Sequence, residues 1–150
     1  MLMTKELKPL NHEDVRFLVV HCSATRCNQI FSTEKLIKTG LERFGQVSYH
    51  YYVRRNGSIV PTLTESMRGV HVVGYNHCSI AVCYEGGLNE HGVAADTRTT
   101  LQKHALYELL KQLHEDYPKA RIIGHRDFPG VHKDCPCFDA APEYAALQPK

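Results

Sequence analysis

Two short apolar runs, each delivering a histidine at its carboxyl end, constrain this chain more than any other feature. Arg16-Phe17-Leu18-Val19-Val20-His21 reads as a mostly buried strand, rich in branched residues and followed by polar Ser23 and Thr25. Ala120 to Gly124 reads as a second such strand, with His125 at its end. In a sheet covered by helices, strand ends are where side chains reach a crevice, so both positions suit a functional residue. Taken singly, each is as readily a structural ring capped at a strand end.

Helical and extended patterns fill the interval. Ser32-Thr33-Glu34 supplies an N-cap and an early acid, and Leu36, Ile37, Leu41 and Phe44 recur at helical spacing up to Gly45. Val47 to Arg54 is rich in Tyr and Val, and Arg55-Asn56-Gly57 is a turn into Ser58-Ile59-Val60, which together predict a hairpin. Ser79 to Tyr84 is a further buried strand ended by Glu85-Gly86-Gly87. Thr99 and Gln102 have capping-box spacing, and Leu101, Ala105, Leu106, Leu109, Leu110, Leu113 and Tyr117 form the apolar stripe of a helix stopped by Pro118. The Ala- and Pro-rich tail after Asp139 is expected to form a short helix and then fray. Strands and helices intermingle without strict alternation, so the expected fold is α/β, a mixed central sheet flanked by helices. With 150 residues, one domain over 1–150 is expected, its core spanning about residues 16–139.

The charges nearly cancel, at a formal +2, and Lys and Arg are interleaved with Asp and Glu, so no nucleic-acid partner is expected. No apolar run reaches the roughly 18 residues of a membrane span, and the first ten residues lack the apolar stretch of a secretion signal. Cytoplasmic synthesis, a monomer and no membrane association are the corresponding expectations. In that setting the six cysteines read as free thiols or metal ligands and not as disulfides.

Ten histidines beside those cysteines make a metal site worth seeking. A catalytic zinc takes three protein ligands, often imidazole or thiolate, and leaves a fourth position for water. His21, His125 and Cys135 can supply the three, although they are far apart in sequence and only the fold can join them. Cys22 adjoins His21 on a strand and so points away, into the core. Cys137 is an alternative ligand or a redox partner, and Cys27, Cys78 and Cys83 read as buried thiols. His50 and His132 read as structural or surface residues. Glu65 and Glu85 are candidate general bases by residue type alone.

The stretch Gly124-His125-Arg126-Asp127-Phe128-Pro129-Gly130-Val131-His132-Lys133-Asp134-Cys135-Pro136 resembles the zinc amidases of the phage lysozyme and peptidoglycan-recognition superfamily, particularly the small phage-type N-acetylmuramoyl-L-alanine amidases. Val19 to Thr25 is similar to that family's first-ligand strand, Val47-Ser48-Tyr49-His50 to its catalytic tyrosine strand, and His71 with Gly74 to His77 and Ser79-Ile80 to its substrate-groove segment. The likeness runs from about Phe17 to Asp139. It implies a zinc held by His21, His125 and Cys135, whose bound water has its pKa lowered from about 15.7 to near 7. It further implies Tyr49 beside that water, Lys133 at the oxyanion, and a groove for peptidoglycan or a muramyl-peptide formed by His71, Tyr75, Asn76 and His77. The bond cleaved would be the lactyl–L-Ala amide.

Without the likeness, Tyr49 reads as a half-buried packing residue and Lys133 as a solvated loop charge. Three rival readings remain: a recognition module of the same fold that does not cleave, a regulator that binds a protein partner such as a polymerase, and a Cys–His hydrolase. A prophage-type endolysin acting on the cell wall, or an enzyme of fragment recycling, would each suit an amidase made without an export signal.

Overall fold

The computed structural model describes residues 6–150. Along the chain run β1 (Phe17–Cys22), β2 (Thr25–Arg26), α1 (Thr33–Phe44), β3 (Tyr51–Val53), β4 (Ile59–Pro61), β5 (Ser79–Tyr84), β6 (Gly87–Leu88), α2 (Thr100–Asp116), β7 (Arg121–Gly124) and α3 (Ala140–Glu143). The main sheet has the order β4-β3-β5-β1-β7, and β2 and β6 form a separate parallel pair. β1 runs parallel to both neighbours, with His21 opposite Cys83 of β5 and Val20 opposite Gly124 of β7. β3 is parallel to β5, whereas the edge strand β4 is antiparallel to β3, which makes the sheet mixed as the sequence pattern predicts.

Side chains alternate across each strand, so each strand divides between two layers. Leu18, Val20 and Cys22 of β1 join Ile80, Val82 and Tyr84 of β5 against Leu106, Leu110 and Leu113 of α2. On the opposite face Tyr52 and Cys83 meet Leu36 of α1, and Val19 and Ile123 are covered by Val72 and Phe128 from loops. At about 1.5–3 kcal/mol for each large apolar side chain removed from water, the two layers supply most of the favourable folding energy.

The helix ends follow their caps. Ser32 accepts from the Lys35 amide at 3.1 Å, and Gly45 closes α1 in the left-handed conformation at φ 74°. The capping box of α2 is complete: Thr99 Oγ1 accepts from Gln102 N, and Gln102 Oε1 accepts from Thr99 N. Gln102, fully buried, also donates from Nε2 to the Glu85 carbonyl at 2.8 Å, which ties the helix start to the end of β5.

Four expectations are corrected. The hairpin strand is ordered as a strand only over Tyr51–Val53, because the preceding backbone is bonded to a loop: Ser48 O accepts from Val70 N, and His50 O from Thr62 N. This approach requires Gly69, where a Cβ would stand 2.3 Å from the Ser48 carbonyl oxygen. Leu101 is 59% exposed and lies outside the apolar stripe of α2. The tail beyond α3 is held in place and does not fray, since Gln148 accepts from Ile122 N at 2.8 Å and donates to Ile122 O at 2.7 Å. Arg98, 2% exposed at its side chain, binds Asp96 and Glu143 and anchors α3 as well. Cys78 and Cys83 are buried, Cys27 is only half-buried, and all six cysteines are free. No helix among the described residues is long and apolar enough to cross a membrane.

His50 is fully buried between β5 and the loop beyond β4, accepting from Ala81 N at Nδ1 (3.0 Å) and donating from Nε2 to Met67 O (2.8 Å). Burial lowers its pKa, outweighing the opposing effects of the Met67 carbonyl and Glu65. The folded value lies below the unfolded one, so the stability due to the neutral ring is complete above about pH 6.5 and is lost as pH falls beneath it. Urea midpoints measured between about pH 7.5 and 5 should therefore drop with acidity, and the drop should be shallower in His50→Gln.

Candidate functional site

His21 and Cys22 end β1 and point to opposite faces, Cys22 into the core under α2 and His21, 1% exposed, toward the loops. In the neighbouring strand, β7 delivers His125 into a 3-10 turn (His125–Asp127), where Asp127 accepts from the Gly124 amide at 2.9 Å. The chain then returns so that the Cys135 carbonyl accepts from Arg126 N at 2.9 Å. Gly124 permits this return, because a Cβ there would lie 2.7 Å from Cδ of Pro136. Three segments distant in sequence thus converge: one donor atom each from His21, His125 and Cys135 lie within 4.8 Å of one another. His21 Nδ1 faces Cys135 Sγ at 3.8 Å, and the two imidazole centroids are 4.7 Å apart.

The electrostatics suit these atoms to hold a cation. Burial, reinforced by His71, His125 and Lys133, holds His21 well below the ordinary imidazole range. Burial and then Lys133 lower His125 in the same way, so both rings are neutral at neutral pH and each keeps a lone pair. The Cys22 amide donates to Cys135 Sγ at 3.2 Å, which fixes the sulfur beside His21. Cys137 is turned elsewhere: its thiol donates to the Gly87 carbonyl at 3.2 Å and lies 3.9 Å from Cys22 Sγ, outside the group.

Tyr49 precedes β3, and its half-buried ring stands 5.1 Å from that of His21. Burial, followed by the thiols of Cys83, Cys135 and Cys22, pushes its phenol well above the ordinary value, so the hydroxyl keeps its proton. Lys133 is exposed on the loop before Cys135, with its charge felt at both His21 and His125.

Residues 11–138 match the family model described as N-acetylmuramoyl-L-alanine amidase. The chain belongs to that family. The amidase is 36% identical over 121 residues to the endolysin of Enterobacteria phage K11, a match covering 80% of this chain and 79% of that protein. Its fold is similar to that of the N-acetylmuramoyl-L-alanine amidase LysC from Clostridium intestinale, with a TM-score of 0.76 at 23% identity over 99% of this chain and 96% of that one. It is also similar to peptidoglycan recognition protein-LE, solved in complex with tracheal cytotoxin, a monomeric diaminopimelic acid-type peptidoglycan; the TM-score is 0.75 at 18% identity, over 97% and 87% of the chains. The family membership makes this chain an enzyme, a peptidoglycan amidase.

The residues expected to line one substrate groove are dispersed in the amidase. His71 is 9% exposed with both ring nitrogens engaged, Nδ1 by His21 Nε2 at 2.9 Å and Nε2 by Ser79 Oγ at 3.0 Å. Both of its ring nitrogens thus face protein partners. Tyr75 packs beside Phe17 and Phe128, lining a cleft of about 310 Å³. Asn76 and His77 line a different, more polar cleft of about 290 Å³ with Lys8 and Arg68. Asn76 also accepts at Oδ1 from the amides of His71 and Val72, both at 3.0 Å, which shapes the loop over the site. Glu85 is bound to Arg54 and the Phe31 amide, and Glu65 to the hydroxyls of Tyr51 and Tyr117, so neither carboxylate joins the group of His21, His125 and Cys135. The contacts made by His71, Ser79 and the Cys22 amide had no local signal in the sequence.

Proposed function

We propose that this amidase is a zinc-dependent endolysin-type enzyme that hydrolyses the lactyl–L-Ala amide bond of peptidoglycan, with the bacterial wall as its site of action. The observation that carries the reading is the convergence of His21, His125 and Cys135, two neutral imidazoles and a thiol with their donor atoms within 4.8 Å. That donor set fits zinc, which is commonly held by mixed His and Cys ligands at catalytic sites with an open position. When bound, zinc would supply the Lewis acidity that activates water and polarises the scissile carbonyl.

The chain's own residues do the remaining work. His21 and His125 present lone pairs because burial keeps them unprotonated, and the Cys22 amide, donating to Cys135 Sγ, holds the sulfur in place. Tyr49, still protonated, offers its Oη–H to orient the attacking water or to pass a proton to the departing amine. The Lys133 ammonium stabilises the oxyanion of the tetrahedral intermediate. Loop residues Tyr75, Asn76 and His77 are assigned to the glycan and stem peptide. The similarity to a recognition protein solved with a peptidoglycan fragment supports this choice of ligand class.

Mass spectrometry of digested peptidoglycan should show a new amine on L-alanine with the sugars intact. Purified protein should hold one zinc per chain, Cys137→Ser should keep it, and Cys135→Ser should lose it, since an alcohol is a far poorer ligand than a thiolate. Stoichiometric zinc in Cys135→Ser would sink the ligand assignment. Tyr49→Phe and Lys133→Ala should each stay folded and zinc-loaded yet lose activity, the Lys133 variant by about a hundredfold to a thousandfold in turnover with KM little changed. Near-normal turnover of zinc-loaded Lys133→Ala on a defined muramyl-peptide would return Lys133 to a solvated loop charge.

A further inference from the structure

His71 has no part in the chemistry above, yet it is buried directly against a proposed ligand. The hydrogen bonds that pass through it have one self-consistent sense, fixed from the far end. The Tyr75 carbonyl can only accept, so the Ser79 hydroxyl spends its single proton there, at 2.7 Å. Ser79 Oγ then offers only lone pairs to His71 Nε2, 3.0 Å away, and Nε2 must carry the hydrogen. A ring buried without a carboxylate partner is neutral and has one N–H, so His71 Nδ1 is bare and accepts from His21 Nε2 at 2.9 Å. His21 therefore carries its hydrogen at Nε2 and is bare at Nδ1, the atom that faces Cys135 Sγ at 3.8 Å.

We infer that His71 and Ser79 are positioning residues that hold His21 in the one tautomer and ring orientation able to present Nδ1 to the metal, with the Tyr75 backbone carbonyl as the fixed end of the relay. In the other tautomer a hydrogen would cap Nδ1, and His21 could not bind a cation there without first rearranging. Ring partners of this kind commonly contribute ten- to a hundredfold to metal affinity. The inference rests on the zinc reading for its consequence, while the tautomer assignment stands apart from it.

Two measurements test it. Long-range ¹H–¹⁵N spectra of the metal-free wild-type protein at neutral pH should show both His21 and His71 protonated at Nε2 and bare at Nδ1. A hydrogen on Nδ1 of either ring overturns the inference without any variant having to fold. Zinc affinity by chelator competition should then fall about ten- to a hundredfold in His71→Ala. The loss should be smaller in Ser79→Ala, where the ring stays but loses its anchor. His71→Asn should recover part of the loss, because its Oδ1 can accept from His21 Nε2–H near the position of the lost Nδ1. Wild-type affinity in His71→Ala, or no gain in His71→Asn over His71→Ala when both unfold cooperatively, overturns the positioning role. Failure of the wild type itself to take up zinc would instead overturn the proposed metal site.

Discussion

β1 is hydrogen-bonded along both edges, to β5 and to β7, and covered on both faces, and the geometry of the site depends on that confinement. A strand so enclosed has one permitted register. A slip of one residue would carry His21 into the layer beneath α2 and bring Cys22 to the loops in its place. The same pairing sets Val20 level with Gly124, which leaves His125 one step beyond the strand and beside His21. The sheet thus fixes two of the three converging side chains, and the third arrives on a loop that must pass closely over Gly124.

The electrostatic character of the region follows from what the fold keeps out of it. His50, His71, His21 and His125 form a succession of rings with neighbouring centroids 6.4, 4.9 and 4.7 Å apart. Burial holds all four below their ordinary basicity. The buried carboxylate of Glu85 is committed to Arg54 and backbone amides, and Glu65 to two tyrosines. The space around His21 therefore contains neutral rings, a phenol and a thiol, and the charge of exposed Lys133 is felt there. Two uncharged nitrogens and one sulfur are a donor set suited to a soft or borderline cation.

Much of the scaffold was legible in the sequence because its signals are local. Ser32 and Gly45 bound α1, Thr99 and Gln102 open α2, and β5 begins and ends where Ser79 and Tyr84 do. The segment before β3 was not, because its backbone partners, Thr62 and Val70, come from a loop whose path no periodicity records. The partner of His71 was hidden for the same reason: it is His21, fifty residues away. The pairing of His21 with His125 was anticipated by their like positions at strand ends. Cys135, Tyr49 and Lys133 depended on family likeness, since no rule of spacing joins residues that the chain brings together only after folding.

β7 is the edge of the sheet, and its outer side meets the carboxamide of Gln148, which gives and receives one hydrogen bond at Ile122. A side chain here does what another strand would do, for a single residue pair. The requirement is narrow. Glutamate cannot donate to the carbonyl, lysine cannot accept from the amide, and asparagine is one methylene short of the same reach. Among the twenty residues, glutamine alone combines both functions at that length. A position that looks like ordinary polar surface is therefore nearly as restricted in composition as the buried strand it seals, and the strand it seals is the one that carries His125 to the site.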